Sequence, residues 1–118
     1  MRLARSFGCA FRGVWLARTG ANMRIHVVAA GVVLALLCGY GVTGAHLAVV
    51  ITSVALVLSA ETMNTAVERL CDLVVETHSL GHDARVRDIK DLAAGAVLIS
   101  AAGAAATGAV VFVPLLLP

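Results

Sequence analysis

Four polar residues, Glu61, Asn64, Glu68 and Asp72, follow one another at offsets of three, seven and eleven positions from the first. At about 100° per residue they fall within roughly 80° of one another around a helix, forming a single polar stripe. Three of the four are carboxylates, groups that can carry a proton or a cation. Glu61 also interrupts an apolar run long enough to cross a membrane, and an ionisable group in such a setting marks function by default. All seven acidic residues of the 118-residue chain lie between Glu61 and Asp91, and the only lysine, Lys90, stands at the end of that interval. Glu61 lies about 16 Å along the helix from Asp72 and is the deepest of these charges.

The elements that must position the stripe follow from composition. Apolar residues make up 60% of the chain and charged residues 14%, with a mean hydropathy of +0.96, which points to an integral membrane protein. Three stretches carry the hydrophobicity: 25–42, 45 to about 67, and 92–113, each reaching or approaching the roughly 20 residues that a spanning helix needs. The second continues as a helix to about residue 75. Arg2, Arg5, Arg12, Arg18 and Arg24 precede the first stretch, and Arg69, Arg85, Arg87 and Lys90 lie between the second and third. The connection from Gly39 to His46 has no basic residue, so the positive-inside rule makes the N-terminus and the 76–90 loop cytoplasmic. Residues 3–18 place Leu3, Phe7, Phe11, Val14 and Trp15 on one helical face with Arg2, Arg5 and Arg12 elsewhere, the pattern of a helix lying in the headgroup layer. The expected fold is all-α: a surface helix at 3–18 and membrane helices at 25–42, 45–75 and 92–113, in one domain.

Other features have structural explanations. The first apolar run is longer than a typical signal-peptide core, and two more runs follow, so it reads as a retained helix. Cys9, Cys38 and Cys71 are odd in number and lack metal-ligand spacing. His78, His82 and Asp83 are expected in a solvated loop, and His26 and His46 near the ends of the first span, where interfacial anchoring suffices. Gly39, Gly41 and Gly44 spell G-x-G-x-x-G, but no strand precedes them, so they are read as turn and packing residues.

The motifs around the stripe are more specific. Glu61-Thr-Met-Asn64-Thr-Ala-Val-Glu68-Arg-Leu-Cys-Asp72 and Lys90-Asp91-Leu-Ala-Ala-Gly-Ala-Val-Leu98 closely resemble two motifs of the small bacterial diacylglycerol kinase family, which includes the undecaprenol kinases. The first stands at the cytoplasmic end of that family's second span and the second opens its third. Asn22-Met-Arg24-Ile-His26 is similar to the family's N-x-R-I-H entry to the first span. The resemblance extends from about Gly8 to Ala105.

The resemblance implies a homotrimer of three-span subunits in the bacterial cytoplasmic (inner) membrane. With Mg²⁺, such a trimer transfers the γ-phosphate of ATP to the hydroxyl of a membrane lipid, diacylglycerol or undecaprenol. No nucleic-acid partner is expected. By the same resemblance Glu61 is the catalytic carboxylate and Asn64 its catalytic neighbour, while Glu68 is the metal ligand and also borders ATP. Asp72, Glu76, Thr77, His78, Lys90 and Asp91 are ATP-binding positions, and Asn22, Arg24 and Glu61 face the lipid substrate. The Arg24-Ile-His26 form looks more like the undecaprenol kinases. The chain departs from the family in two places: Gly20 stands where a second metal-binding acid usually precedes the conserved Arg by four residues, and the 73–89 loop is longer by about four residues. Two rival readings follow, a catalytically impaired family member serving as a lipid-binding or assembly subunit, and a small proton- or cation-coupled transporter subunit with Glu61 as its binding group.

Overall fold

The computed structural model describes residues 2–117 and contains four helices, α1 (Arg2–Ala17), α2 (Met23–Gly39), α3 (Gly44–His78) and α4 (Ala84–Leu116). No strand occurs among the described residues. The surface helix runs over almost the expected residues and leaves Leu3, Phe7, Phe11, Val14 and Trp15 exposed. The Arg18 guanidinium lies over the Trp15 ring, 3.9 Å from its centroid, a cation–π contact that ties the end of α1 to the following turn.

Two helices, α3 with 35 residues and α4 with 33, are long and apolar enough to cross a membrane. At 1.5 Å per residue each is about 50 Å long, well beyond a hydrocarbon layer of about 30 Å. The third apolar helix, α2, has 17 residues, short of a full span by itself; it starts two residues before the expected 25–42 segment and ends three residues before it. The reason for the early end is the Gly41–Gly44 turn, where both glycines adopt positive φ of 62° and 63°, a conformation that side chains with a Cβ rarely take. These are the glycines of the formal G-x-G-x-x-G pattern, and the turn accounts for them.

The cytoplasm-side connection expected at 76–90 is mostly helix. Only residues 79–83 are non-helical between α3 and α4. Ser79, at φ 50°, caps α3 in the left-handed region, and Asp83 caps α4 by accepting a hydrogen bond from the Arg85 backbone N–H at 2.8 Å. Helix α4 therefore begins at Ala84, eight residues before the 92–113 stretch.

The most extensive packing joins α3 to α4, and α2 and α1 lean on α3 more sparsely. Among the described residues Leu37, Val50 and Val111 form a buried apolar cluster, where α2, α3 and α4 meet near the α2–α3 turn, with Val33, Val42, Leu47 and Phe112 around it. Large apolar side chains elsewhere face outward, among them Ile25, Leu56, Leu92 and Ile99. Outward apolar faces on every helix are what a lipid solvent favours, and together with the two long apolar helices this pattern suggests a membrane protein.

Candidate active site

The three buried polar side chains among the described residues, Glu61, Asn64 and Thr65, all lie on α3 and within one turn and a half of each other. Glu61 is 1% exposed and Asn64 3%. Glu61 Oε2 and Asn64 Oδ1 are buried without a hydrogen-bond partner, a costly condition that a folded chain tolerates where a ligand completes the set. The amide of Asn64 donates from Nδ2 to Glu68 Oε1 at 3.1 Å, which fixes its Oδ1 on the other side of the group. Four-residue spacing on the helix brings these two side chains together.

These groups line a pocket of about 250 Å³ walled by Asn22 and His26 of the α2 end, Glu61, Asn64 and Glu68 of α3, and Ala94, Val97, Leu98 and Ala101 of α4. Small residues on α4 let the carboxylates face a space between helices in place of a packed side chain. The stripe expected from the sequence therefore converges on one pocket through Glu61, Asn64 and Glu68. Its fourth member, Asp72, is exposed further along α3, where it accepts a hydrogen bond from Lys90 Nζ of α4 at 2.6 Å. Lys90 is thus the partner of Asp72, ahead of Arg69, Arg85 or Arg87. The Asp72 hydrogen bond holds the Lys90 ammonium above the ordinary lysine range.

The remaining candidates spread along the same end of the molecule. Glu76, Thr77 and His78 occupy the last turn of α3, where Thr77 Oγ1 donates to the Leu73 carbonyl at 2.7 Å, so they are helical residues and not part of a loop. Asp91 borders a separate shallow depression with Asp88, Leu92 and Gly95. Arg24 is exposed on the first turn of α2, and Asn22 precedes that helix and reaches the pocket.

His26 was expected only to anchor α2 at an interface. It instead borders the pocket, with Nε2 4.0 Å from Glu61 Oε2. The spacing of Asn22 and His26, four apart, puts the two on one face but does not show that this face meets Glu61.

Gly20 has a structural reason. It is buried in the turn between α1 and α2, and a Cβ there would collide with Thr65 Oγ1 and sit 3.2 Å from the Ala17 carbonyl oxygen. Thr65 Oγ1 is itself held by donating to the Glu61 carbonyl at 3.0 Å. Arg69 Nη2 donates to Thr19 Oγ1 in the same turn, clamping it to α3. An acid at position 20 would require Thr65 to shift. Among the described residues no three His, Cys, Asp or Glu side chains gather as a metal cage.

The sequence model of the family described as prokaryotic diacylglycerol kinase matches residues 8–112. An undecaprenol kinase of Bacillus subtilis (strain 168) is 34% identical over 116 residues, covering 96% of this chain and 89% of that protein. No solved structure matches the chain.

Proposed function

Because this chain belongs to the prokaryotic diacylglycerol kinase family, and is on that ground a lipid kinase, we propose that it transfers the γ-phosphate of ATP to the hydroxyl of a membrane lipid alcohol, with undecaprenol preferred to diacylglycerol. The observation that carries the reaction is the pocket in which the buried Glu61 carboxylate faces Asn64 and Glu68 with two oxygens unpartnered. The substrate preference rests on the similarity to the Bacillus subtilis undecaprenol kinase.

In this reading Glu61 accepts the hydroxyl proton as the alcohol oxygen attacks the γ-phosphorus. The bond from that phosphorus to the β–γ bridging oxygen breaks, and ADP leaves with the electron pair. Burial excludes water from the base, which limits loss of the phosphoryl group to hydrolysis. Glu68, a carboxylate on the wall of the pocket, would hold a Mg²⁺ ion, since magnesium takes one or two carboxylates and fills its other positions with phosphate oxygens and water. Bound there, the ion would neutralise phosphate charge. Lys90 supplies a second cation, held in place by Asp72, where phosphoryl transfer depends on positioning and charge stabilisation. Asp91, Glu76, Thr77 and His78 lie at the same end of the helices for contacts to the nucleotide.

The arrangement we infer in the cell is a homotrimer in the bacterial inner membrane, with α2, α3 and α4 as three spans, α1 on the cytoplasmic surface, and the 79–83 connector on the same side. Placement of every Lys and Arg toward that side supports the orientation.

The test offers undecaprenol and diacylglycerol in parallel to purified protein with Mg·ATP in detergent micelles. The expected result is phosphorylated lipid in both arms, with the larger kcat/KM for undecaprenol. An intact oligomer that phosphorylates neither alcohol would instead identify an assembly or lipid-binding subunit, the rival that Gly20 raises.

A further inference from the structure

We propose that His26 is a second contact of the acceptor hydroxyl, donating a hydrogen bond from Nε2 to the alcohol oxygen while Glu61 receives the hydroxyl proton. This rests on the kinase reading of the same pocket. Nε2 and Glu61 Oε2 are 4.0 Å apart, beyond direct hydrogen-bond reach, and Oε2 is buried with no partner among the described residues. One oxygen atom placed about 2.8 Å from each would subtend an angle of roughly 90°, an ordinary arrangement for a hydroxyl that donates to one neighbour and accepts from another. Its second lone pair then points away from both, free to form the bond to phosphorus.

The surroundings of His26 indicate what carries that hydroxyl. The residue borders the polar pocket on one side and, on the other, an apolar groove of about 300 Å³ that runs between α2 and α4 over α3 toward Phe112. Ala30, Val33, Val57 and Ala104 are typical of its lining. Apart from His26, the one side chain there with a polar atom is Ser53, whose hydroxyl is already donated to the Val49 carbonyl at 2.9 Å. The groove therefore suits a hydrocarbon chain, and the polar groups at its edge are His26 and, in the adjoining pocket, Glu61. The ligand class is a long-chain alcohol whose hydroxyl ends a continuous hydrocarbon.

Two measurements test the assignment. In the Mg·ATP micelle assay, His26→Ala is expected to lower kcat/KM for the lipid alcohol about tenfold to a hundredfold, as expected for one lost donor in a desolvated site, with KM for ATP unchanged. His26→Gln, whose side-chain amide nitrogen can stand near the place of Nε2, is expected to recover most of that loss. Wild-type kcat/KM in the Ala variant would overturn the proposal, as would equal impairment of both variants accompanied by a raised KM for ATP. The second measurement needs no turnover: farnesol is expected to shift the His26 ring ¹⁵N resonances in micelles, and farnesene, which offers a similar hydrocarbon without an oxygen acceptor, to leave them largely in place. Equal shifts, or none, would overturn the proposal. Wild-type protein inert toward every alcohol but showing the farnesol-specific shift would defeat the kinase reading and leave the His26 contact standing.

Discussion

Glu61 combines near-complete burial with an oxygen that nothing among the described residues satisfies, a pairing that costs stability and is kept where it serves chemistry. Glu61→Gln preserves the shape of the side chain while removing the base. Turnover is expected to fall by roughly 10²–10⁴-fold, the usual contribution of a positioned general base, while melting in detergent stays at or above that of the parent because the amide is easier to bury than the carboxylate. Full activity of the Gln variant would remove Glu61 from its role. Most of this neighbourhood was legible in the sequence, since Glu61, Asn64 and Glu68 share a helix and their angular separation is fixed by its pitch. His26 was not, because its closeness to Glu61 depends on how α2 crosses α3, a tertiary relation that spacing within one helix does not encode. The meaning of Gly20 was hidden for the same reason: the collision with Thr65 that a side chain there would meet spans 45 positions of sequence.

At the level of elements, the hydrophobic runs located the rods but not their ends. Helical continuation of α3 to His78 and the start of α4 at Ala84 occur in polar sequence, where hydropathy falls silent and end-capping groups decide. Asp83 is the clearest of these. Residues 76–90 read as a loop with Asp83 as one of its charges, whereas its carboxylate bonds the Arg85 side chain at 2.8 and 3.2 Å as well as the Arg85 backbone N–H. Hydrogen bonds from the Arg85 side chain and then its backbone lower the Asp83 carboxyl to about 2. A carboxyl depressed on folding contributes stability above its unfolded pKa, near 3.9, and loses that contribution as pH falls through the folded value. The cap is therefore complete at neutral pH and is released progressively from about pH 4 down to about 2. Asp83→Ala is expected to speed amide exchange across 84–87 at neutral pH, and Asp83→Asn, a competent cap, to do so less. Unchanged exchange in the Ala variant would show that α4 needs no cap.

The whole molecule measures 59 × 41 × 19 Å, a flat set of rods too thin to enclose both a nucleotide and a lipid. Among the described residues only eight apolar side chains are buried, so much of the apolar surface of α2, α3 and α4 is available to lipid or to other copies. Mass measurement of protein released from mild detergent is expected to give three times the 12.1 kDa chain mass, and a monomer that retains full kinase activity would refute the need for assembly. The sparse internal packing has another consequence, for what holds the fold together. In a water-soluble domain the interior belongs to the chain, and changing the buffer leaves it alone. Here most of what surrounds each helix is borrowed from the medium, so the surfactant chosen to purify the protein acts as part of its core, and swapping one tail length for another is equivalent to a mutation along every outward face at once.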